Sequence, residues 1–144
     1  MIKRWGVVFA VLLLAGCTLV EPQTSPEITR DDLIQRLEEV QRDQAAALAL
    51  WDRIIFGELV SCEESIPAPE LFSVTAQAGD LLTIQDDLNA AIQAVRNSSD
   101  LWNIECNTDR DYVPLNMAQQ GRATSLEASA PLDEATTLLA TYGG

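Results

Sequence analysis

Histidine, the residue type that most often carries acid–base chemistry in proteins, is absent from this chain of 144 residues. Without histidine the chain lacks the commonest general base near neutral pH and the commonest metal ligand. A Ser-His-Asp triad within the chain is therefore excluded. Apart from the single lysine at position 3, the side chains left for chemistry are carboxylates, hydroxyls, arginine, tyrosine and thiols. We predict no catalytic residue and no cofactor among them.

A short polar stretch is the best candidate for a metal site. Asn107, Asp109 and Asp111 stand at alternate positions, as at the start of a calcium-binding loop. The rest of that pattern fails, because the sixth position is Tyr112 instead of glycine and the twelfth is Ala118 instead of glutamate. We therefore predict a solvated loop, with Asn107, Asp109 and Asp111 kept as weak metal-ligand candidates.

Two pairs of adjacent carboxylates are the remaining acid–base candidates, Glu63-Glu64 and Asp86-Asp87. A glycosidase places two carboxyl groups across a cleft at a defined separation. Neighbours in sequence on a helix point about 100° apart, because a turn takes 3.6 residues. We therefore interpret both pairs as parts of a solvated surface.

The N-terminal stretch carries the most specific motif. Lys3 and Arg4 give a positive start, and an apolar run of about ten residues ends at Leu14. That run is too short to span a bilayer core, which takes about 20 residues. Leu14-Ala15-Gly16-Cys17 then matches a lipobox, so residues 1–18 resemble a bacterial lipoprotein precursor. Alternatives are an ordinary signal peptide and an uncleaved anchor.

The resemblance implies a diacylglycerol on the Cys17 sulfur, cleavage after Gly16 and, in most such proteins, further acylation of the new amine. Residues 1–16 would be a cleaved signal peptide, 17–27 the lipidated cysteine and a tether, and 28–144 the folded domain. The implied location is extracytoplasmic, with the membrane as partner through the lipid. Thr18, in place of the aspartate that retains lipoproteins in an inner membrane, favours the outer membrane, or the outer face of the cell membrane in a cell without one.

The charge of the remaining domain excludes some partners. Removal of residues 1–16 takes away Lys3 and Arg4 from nine basic residues, which leaves seven arginines against 22 acidic residues. Nucleic acid is a poor partner for such a domain, because phosphate binding requires a basic surface. Anionic lipid headgroups should also repel it, so the lipid would hold the protein to the membrane.

Export also predicts the state of the other two cysteines. An oxidising compartment permits a disulfide between Cys62 and Cys106. Two free thiols or an intermolecular bridge are the alternatives. Trp51 and Trp102 lie near the two cysteines in sequence, and we expect both rings to pack in the core around the bridge, the alternative being an exposed ring that grips a ligand.

Helical periodicity must position these residues. Apolar residues recur every three or four positions over 29–61, over 71–95 and from about Pro114 onward. We predict that Gly79-Asp80 interrupts the second run, that 97–100 ends it and caps a short segment, and that Pro131 divides the third, with Ser129 as a possible cap. The predicted fold is all-α, an antiparallel bundle of three to four helices.

One conflict remains within this fold. If the first two helices are full-length and antiparallel, Cys62 and Cys106 would lie at opposite ends of the bundle. A disulfide, however, requires their Cα atoms to lie within about 7 Å of each other. Either the segment around Pro67 and Pro69 runs back along the bundle, or the second helix is broken at Gly79. We favour these two solutions over the absence of a disulfide.

The sequence leaves three hypotheses on function open. The first is a non-enzymatic lipoprotein whose domain serves as a structural or protein-interaction module of the cell envelope, with an unknown envelope protein as partner. The second is a lipoprotein that holds a small molecule or cation between helices, with tryptophan, tyrosine and Arg122 as contacts. The third, an enzyme of unfamiliar type, has no motif to support it.

Overall fold

The computed structural model describes residues 27–76, 79–110 and 112–142. Within these residues the chain forms four helices and no strand: α1 (Arg30–Ile55), α2 (Asp80–Cys106), α3 (Leu115–Leu126) and α4 (Ser129–Thr141). The predicted all-α bundle is thus confirmed. Cys17 and the rest of residues 1–26, on which the signal peptide and tether are predicted, lie outside the described residues.

A capping box fixes the start of α1. The Asp32 backbone N–H donates to the Thr29 hydroxyl at 3.2 Å, and the Thr29 N–H donates to the Asp32 carboxylate at 2.9 Å. The end was predicted at residue 61, which is wrong. The helix stops at Ile55, and Gly57 takes a φ of +89°, a left-handed conformation that glycine adopts without strain.

Helix α2 is longer at its C-terminal end than the sequence suggested. It begins after Gly79, where an interruption was predicted, but residues 71–76 of the same periodic run are not helical. It also continues through 97–100, so the predicted break there is wrong. Both serines of that stretch are buried, and their hydroxyls bond to other parts of the fold. Since these hydroxyls have tertiary partners, they do not compete for the backbone of their own helix. The segment 101–106 is therefore the end of α2.

The third periodic run is divided near Pro131, as predicted. Helix α3 ends at Leu126 and α4 starts at Ser129. Ser129 is not the cap but the first helical residue, and Ala128 holds the cap position. Pro131 thereby lies in the first turn of α4, where its missing N–H breaks no helical hydrogen bond.

Two apolar clusters give the directions of the helices. One contains Leu33 and Ile84, from the beginnings of α1 and α2, together with Leu139 near the end of α4. The other contains Trp51 and Trp102, from the ends of α1 and α2, with Ala118 near the start of α3. Helices α1 and α2 therefore run in the same direction, and α3 followed by α4 runs antiparallel to both.

A non-helical stretch, which we call the return segment (residues 56–76), makes this parallel arrangement possible. Side chains from one stripe of α2 bond to its backbone in reverse order along the chain, so the segment runs antiparallel to α2. Of the two favoured solutions to the disulfide conflict, the structure therefore shows the one in which the proline-rich link runs back along the bundle. Each bond joins an α2 side chain to the backbone of a return-segment residue: Gln85 with Val74 and Ala76, Asn89 with Phe72, Arg96 with Pro69, Ser99 with Ile66, and Trp102 with Glu64.

Candidate functional site

Cys62 and Cys106 are joined by a disulfide with a Cα–Cα distance of 5.5 Å, as predicted. The bridge links the return segment to the last residue of α2, across 44 positions of sequence. It lies at the end of the bundle opposite Glu27, where the chain enters the described domain. We call this the bridge end.

The two tryptophans pack against each other beneath the bridge end. Their ring centroids are 5.6 Å apart and the rings are nearly perpendicular, at 80°. Trp51 is 0% exposed and Trp102 is 1% exposed. The Trp51 indole donates to the Ser98 hydroxyl at 2.8 Å, and that of Trp102 donates to the Glu64 carbonyl at 2.9 Å. Core packing is thus the role of both rings, and neither is exposed to grip a ligand.

A buried hydroxyl pair connects three helices around Trp51. The Ser98 and Ser125 hydroxyl oxygens are 2.7 Å apart, and Ser125 also donates to the Gly121 carbonyl at 3.0 Å. With the indole of Trp51, these groups satisfy one another, which indicates a structural role. The sequence did not predict that Ser98 would face the third helix, because the stretch 97–100 was interpreted as a helix end.

Gly121 sets the distance between α1 and α3. A Cβ atom at this position would lie 2.3 Å from Cε2 of Trp51. The glycine therefore lets the α3 backbone lie directly on the indole ring, a contact that no larger residue permits without movement.

The predicted metal-ligand candidates do not form a site within the described residues. Asn107 is the C-cap of α2, and its side-chain amide donates to the Asn103 carbonyl at 2.7 Å. Asp109 is exposed, and Asp111 lies outside the described residues. No group of three or more potential metal-binding side chains occurs in the described part of the chain.

The adjacent carboxylates lie in two separate regions. Glu64 is paired with Arg53 at 2.5 Å at the bridge end. Asp87 lies in α2, and its Oδ2 atom is buried without a hydrogen-bond partner among the described residues. Burial, reinforced by the charges of Glu134 and Asp86, raises the pKa of Asp87. Neither pair faces the other across a cleft, so the two-carboxylate arrangement of a glycosidase is not formed.

A first surface hollow, of about 340 Å³, lies between the start of α1 and the return segment. The carboxyl-bearing residues Glu27, Asp32 and Glu70 are among those that line it. The Arg36 guanidinium lies 5.3 Å from the centre of the Phe72 ring at this hollow and pairs with Glu39 at 3.1 Å. The lining thus carries a net negative charge, with four carboxylates against one guanidinium.

A second hollow, of about 220 Å³, lies at the bridge end and is mainly apolar in its lining. Leu59, Tyr112 and Leu115 line it and are 86%, 65% and 54% exposed. Phe56, in the adjoining turn, is also 86% exposed. We call these four residues the bridge-end patch. Sequence reasoning missed the patch, because Phe56 and Leu59 fell within the predicted first helix and Tyr112 within a polar loop.

Ion pairs hold most of the arginines at the bridge end. Arg53 bonds to both Glu58 and Glu64, which lowers the pKa of Glu58. Arg122, a predicted ligand contact, instead pairs with Asp52 at 2.6 Å. Arg110, which follows the end of α2, pairs with Glu105 in the last turn of that helix at 3.2 Å. These arginines are thus already partnered within the fold.

No protein-family model, no curated protein and no solved structure matches this chain. No helix among residues 27–76, 79–110 and 112–142 combines the length and apolar character needed to cross a membrane.

Proposed function

We propose that this protein is a bacterial lipoprotein, anchored by acyl chains on Cys17 and exposed outside the cytoplasm. The sequence Leu14-Ala15-Gly16-Cys17, behind a positive start and a short apolar run, supports the anchor. Two or more acyl chains hold a protein firmly to a bilayer, whereas a single chain holds it weakly. The Cys62–Cys106 disulfide suits an oxidising compartment.

In this proposal the domain is a non-enzymatic interaction module of the cell envelope. The observation that carries it is the bridge-end patch, where Phe56, Leu59, Tyr112 and Leu115 are each more than half exposed. Leu59, Tyr112 and Leu115 line one hollow, and contiguous exposed apolar patches mark sites where another molecule binds. The buried hydroxyls and both tryptophan indoles are, by contrast, bonded within the fold.

The anchor is tested by metabolic labelling with an alkyne analogue of palmitate. The full chain should incorporate the label and fractionate with membranes, and Cys17→Ala should abolish the labelling. Cys62→Ser, made together with Cys106→Ser, is the matched control and should leave the labelling intact. Equal labelling of the Cys17→Ala variant would contradict the lipid assignment.

The interaction role is tested by photo-crosslinking of the full chain in its native membrane, followed by mass spectrometry. A photoreactive residue is placed in turn at several exposed positions, including Leu59, Leu71 and Leu126. A reproducible protein partner at one or more positions supports an interaction module. Absence of a crosslinked protein at every position would contradict it.

Cation binding is the second candidate function, favoured by the acidic hollow at the start of α1. Calorimetry with Ca²⁺ and with a polyamine tests it on the full chain. Heat that disappears in the Glu27→Gln, Glu70→Gln variant would support this candidate, and no heat at millimolar concentration would remove it.

A further inference from the structure

We propose that the bridge-end patch docks a polypeptide segment that presents one large apolar side chain flanked by lysine or arginine. This inference rests on the proposed interaction function and adds the surface that is used and the chemistry of the partner. It follows from the shape of the hollow, from the charges at this end of the bundle and from the position of Glu27.

The hollow has the shape of a receptor for one side chain. Ile54, Val60 and Val113 line it. They also pack against the apolar cluster that contains Trp51 and Trp102, so they form an apolar floor backed by the core. Leu59 and Tyr112 stand exposed around it. Its volume of about 220 Å³ is below the roughly 300–1,000 Å³ of pockets for drug-sized ligands. An aliphatic or aromatic anchor from a protein fits this size, as at the centre of protein interfaces.

The charges at the bridge end select a basic partner. Arg53 is shared between two carboxylates, Glu58 and Glu64, so one negative charge remains there. Glu63 and Asp109 are exposed and form no ion pair within the described residues. The pairs Asp52–Arg122 and Glu105–Arg110 are neutral as units. The end is therefore acidic, and a positively charged flank on the partner is complementary to it.

A second copy of this chain fits the patch less well. The whole chain has a formal charge of −13, so two identical acidic ends repel each other at low ionic strength. The chain also enters the described domain at Glu27, at the opposite end of the bundle. The N-terminal segment therefore joins the domain at the end away from the patch, which leaves the bridge end of each copy open to a different partner.

Binding of synthetic peptides to the full chain in lipid nanodiscs tests the partner chemistry. The probe is a short fluorescent peptide with one phenylalanine between pairs of lysines. One comparison peptide has alanine in place of phenylalanine, and another has glutamate in place of every lysine. Fluorescence anisotropy should show binding of the first peptide alone, weakened by salt. Equal binding of the alanine peptide would overturn the proposal, because charge alone would then suffice.

Variants of the patch locate the site. Leu59→Ser combined with Tyr112→Ser should weaken peptide binding at least about tenfold, the size expected when anchor contacts are removed. Leu71→Ser combined with Leu126→Ser removes two less exposed apolar side chains elsewhere on the surface and should leave the affinity unchanged. Circular dichroism confirms that both variants stay folded. Equal affinity of the two variants would overturn the assignment of the patch.

The photo-crosslinking experiment separates this inference from the function on which it rests. A partner captured through Leu59 by a basic segment with an apolar anchor supports both. A partner captured only through Leu71 or Leu126 leaves the interaction function standing and overturns the patch as its site. Capture of a second copy through Leu59 overturns the basic-partner proposal. Absence of crosslinks at every position overturns both.

Discussion

Gly121→Ala tests the close approach of α3 to Trp51. The added methyl group would lie 2.3 Å from Cε2 and 2.4 Å from Cζ2 of the indole, short of ordinary contact by about 1.1 Å. The ring has little freedom to move, because it is fully buried, bonded to Ser98 and packed edge-to-face on Trp102. Helix α3 must therefore move away from α1, which also lengthens the bonds around Ser125.

Two opposing effects determine how far Gly121→Ala changes the free energy of unfolding. Overpacking of a filled core costs about 1–3 kcal/mol, and a rigid indole as the obstacle places this site at the upper end. Replacing glycine by alanine inside a helix returns about 1 kcal/mol of helix propensity. The expected net loss in the free energy of unfolding is therefore about 2 kcal/mol. For a domain of this size it corresponds to a Tm lower by about 8 °C.

Thermal unfolding followed by circular dichroism, with tryptophan fluorescence as a second probe, measures the effect. Gln120→Ala, at an exposed position of the same helix, is the matched control and should change the Tm little. Trp51→Leu should reduce the effect of the added methyl group, since the obstacle is gone. A Tm that rises in Gly121→Ala would refute the close approach, because helix propensity would then outweigh a contact that was not tight.

Three further predictions concern the bridge, the buried hydroxyl and a buried carboxylate. Replacing Cys62 and Cys106 by serine should lower the free energy of unfolding by about 4 kcal/mol in the chain-entropy model, measured by urea denaturation. Ser98→Ala should lower it by about 1–3 kcal/mol, because a buried indole N–H loses its acceptor. Asp87→Asn should raise the Tm at pH 7. The pKa of this carboxyl is raised in the folded state, so its charged form opposes folding at pH 7. The gain in Tm should vanish below a pH of about 4, because the Asp87 carboxyl is then protonated in both the folded and the unfolded state.

Each of these predictions has a control and a contradicting outcome. Equal denaturation midpoints with and without the bridge would contradict a stabilising disulfide. Ser73→Ala, at an exposed serine, should be nearly neutral, and an equal loss there would show that the effect of Ser98→Ala is not due to the buried hydrogen bond. Asp100→Asn, at an exposed position of α2, should not raise the Tm, and a rise equal to that of Asp87→Asn would point to net charge as the cause.

The fold class followed from local patterns, which is why it could be predicted. The spacing of apolar residues predicted the helical runs, with the first beginning near residue 29, and Gly79 marked the start of α2. Each of these signals acts within one or two turns of chain. The disulfide followed from the cysteine count together with the expected export, and its geometry then left a returning link as one of two favoured solutions.

The misjudged positions are those where distant partners override local preference. Ser98 and Ser99 favour a helix end by their local chemistry, but their hydroxyls bond to α3 and to the return segment, and α2 continues. The four-residue spacing of Asp32 and Arg36 favours an ion pair on a helix, but the capping box uses Asp32, and Arg36 pairs with Glu39. The exposed position of Phe56 depended on the early end of α1, which the apolar pattern through Ile55 did not reveal.

The return segment and its bridge also determine how the domain would respond to a pulling force. The described chain begins at Glu27 and ends at Tyr142, and Arg30 bonds to the Leu139 carbonyl, so both termini lie at one end of the bundle. A force applied across them can extend the helices on either side of the bridge. It cannot extend the loop that the bridge closes between Cys62 and Cys106, which are 44 positions apart in sequence. Fully extended, that loop would add about 150 Å of contour length. Stretching of single molecules should therefore release that length only after the bridge is reduced.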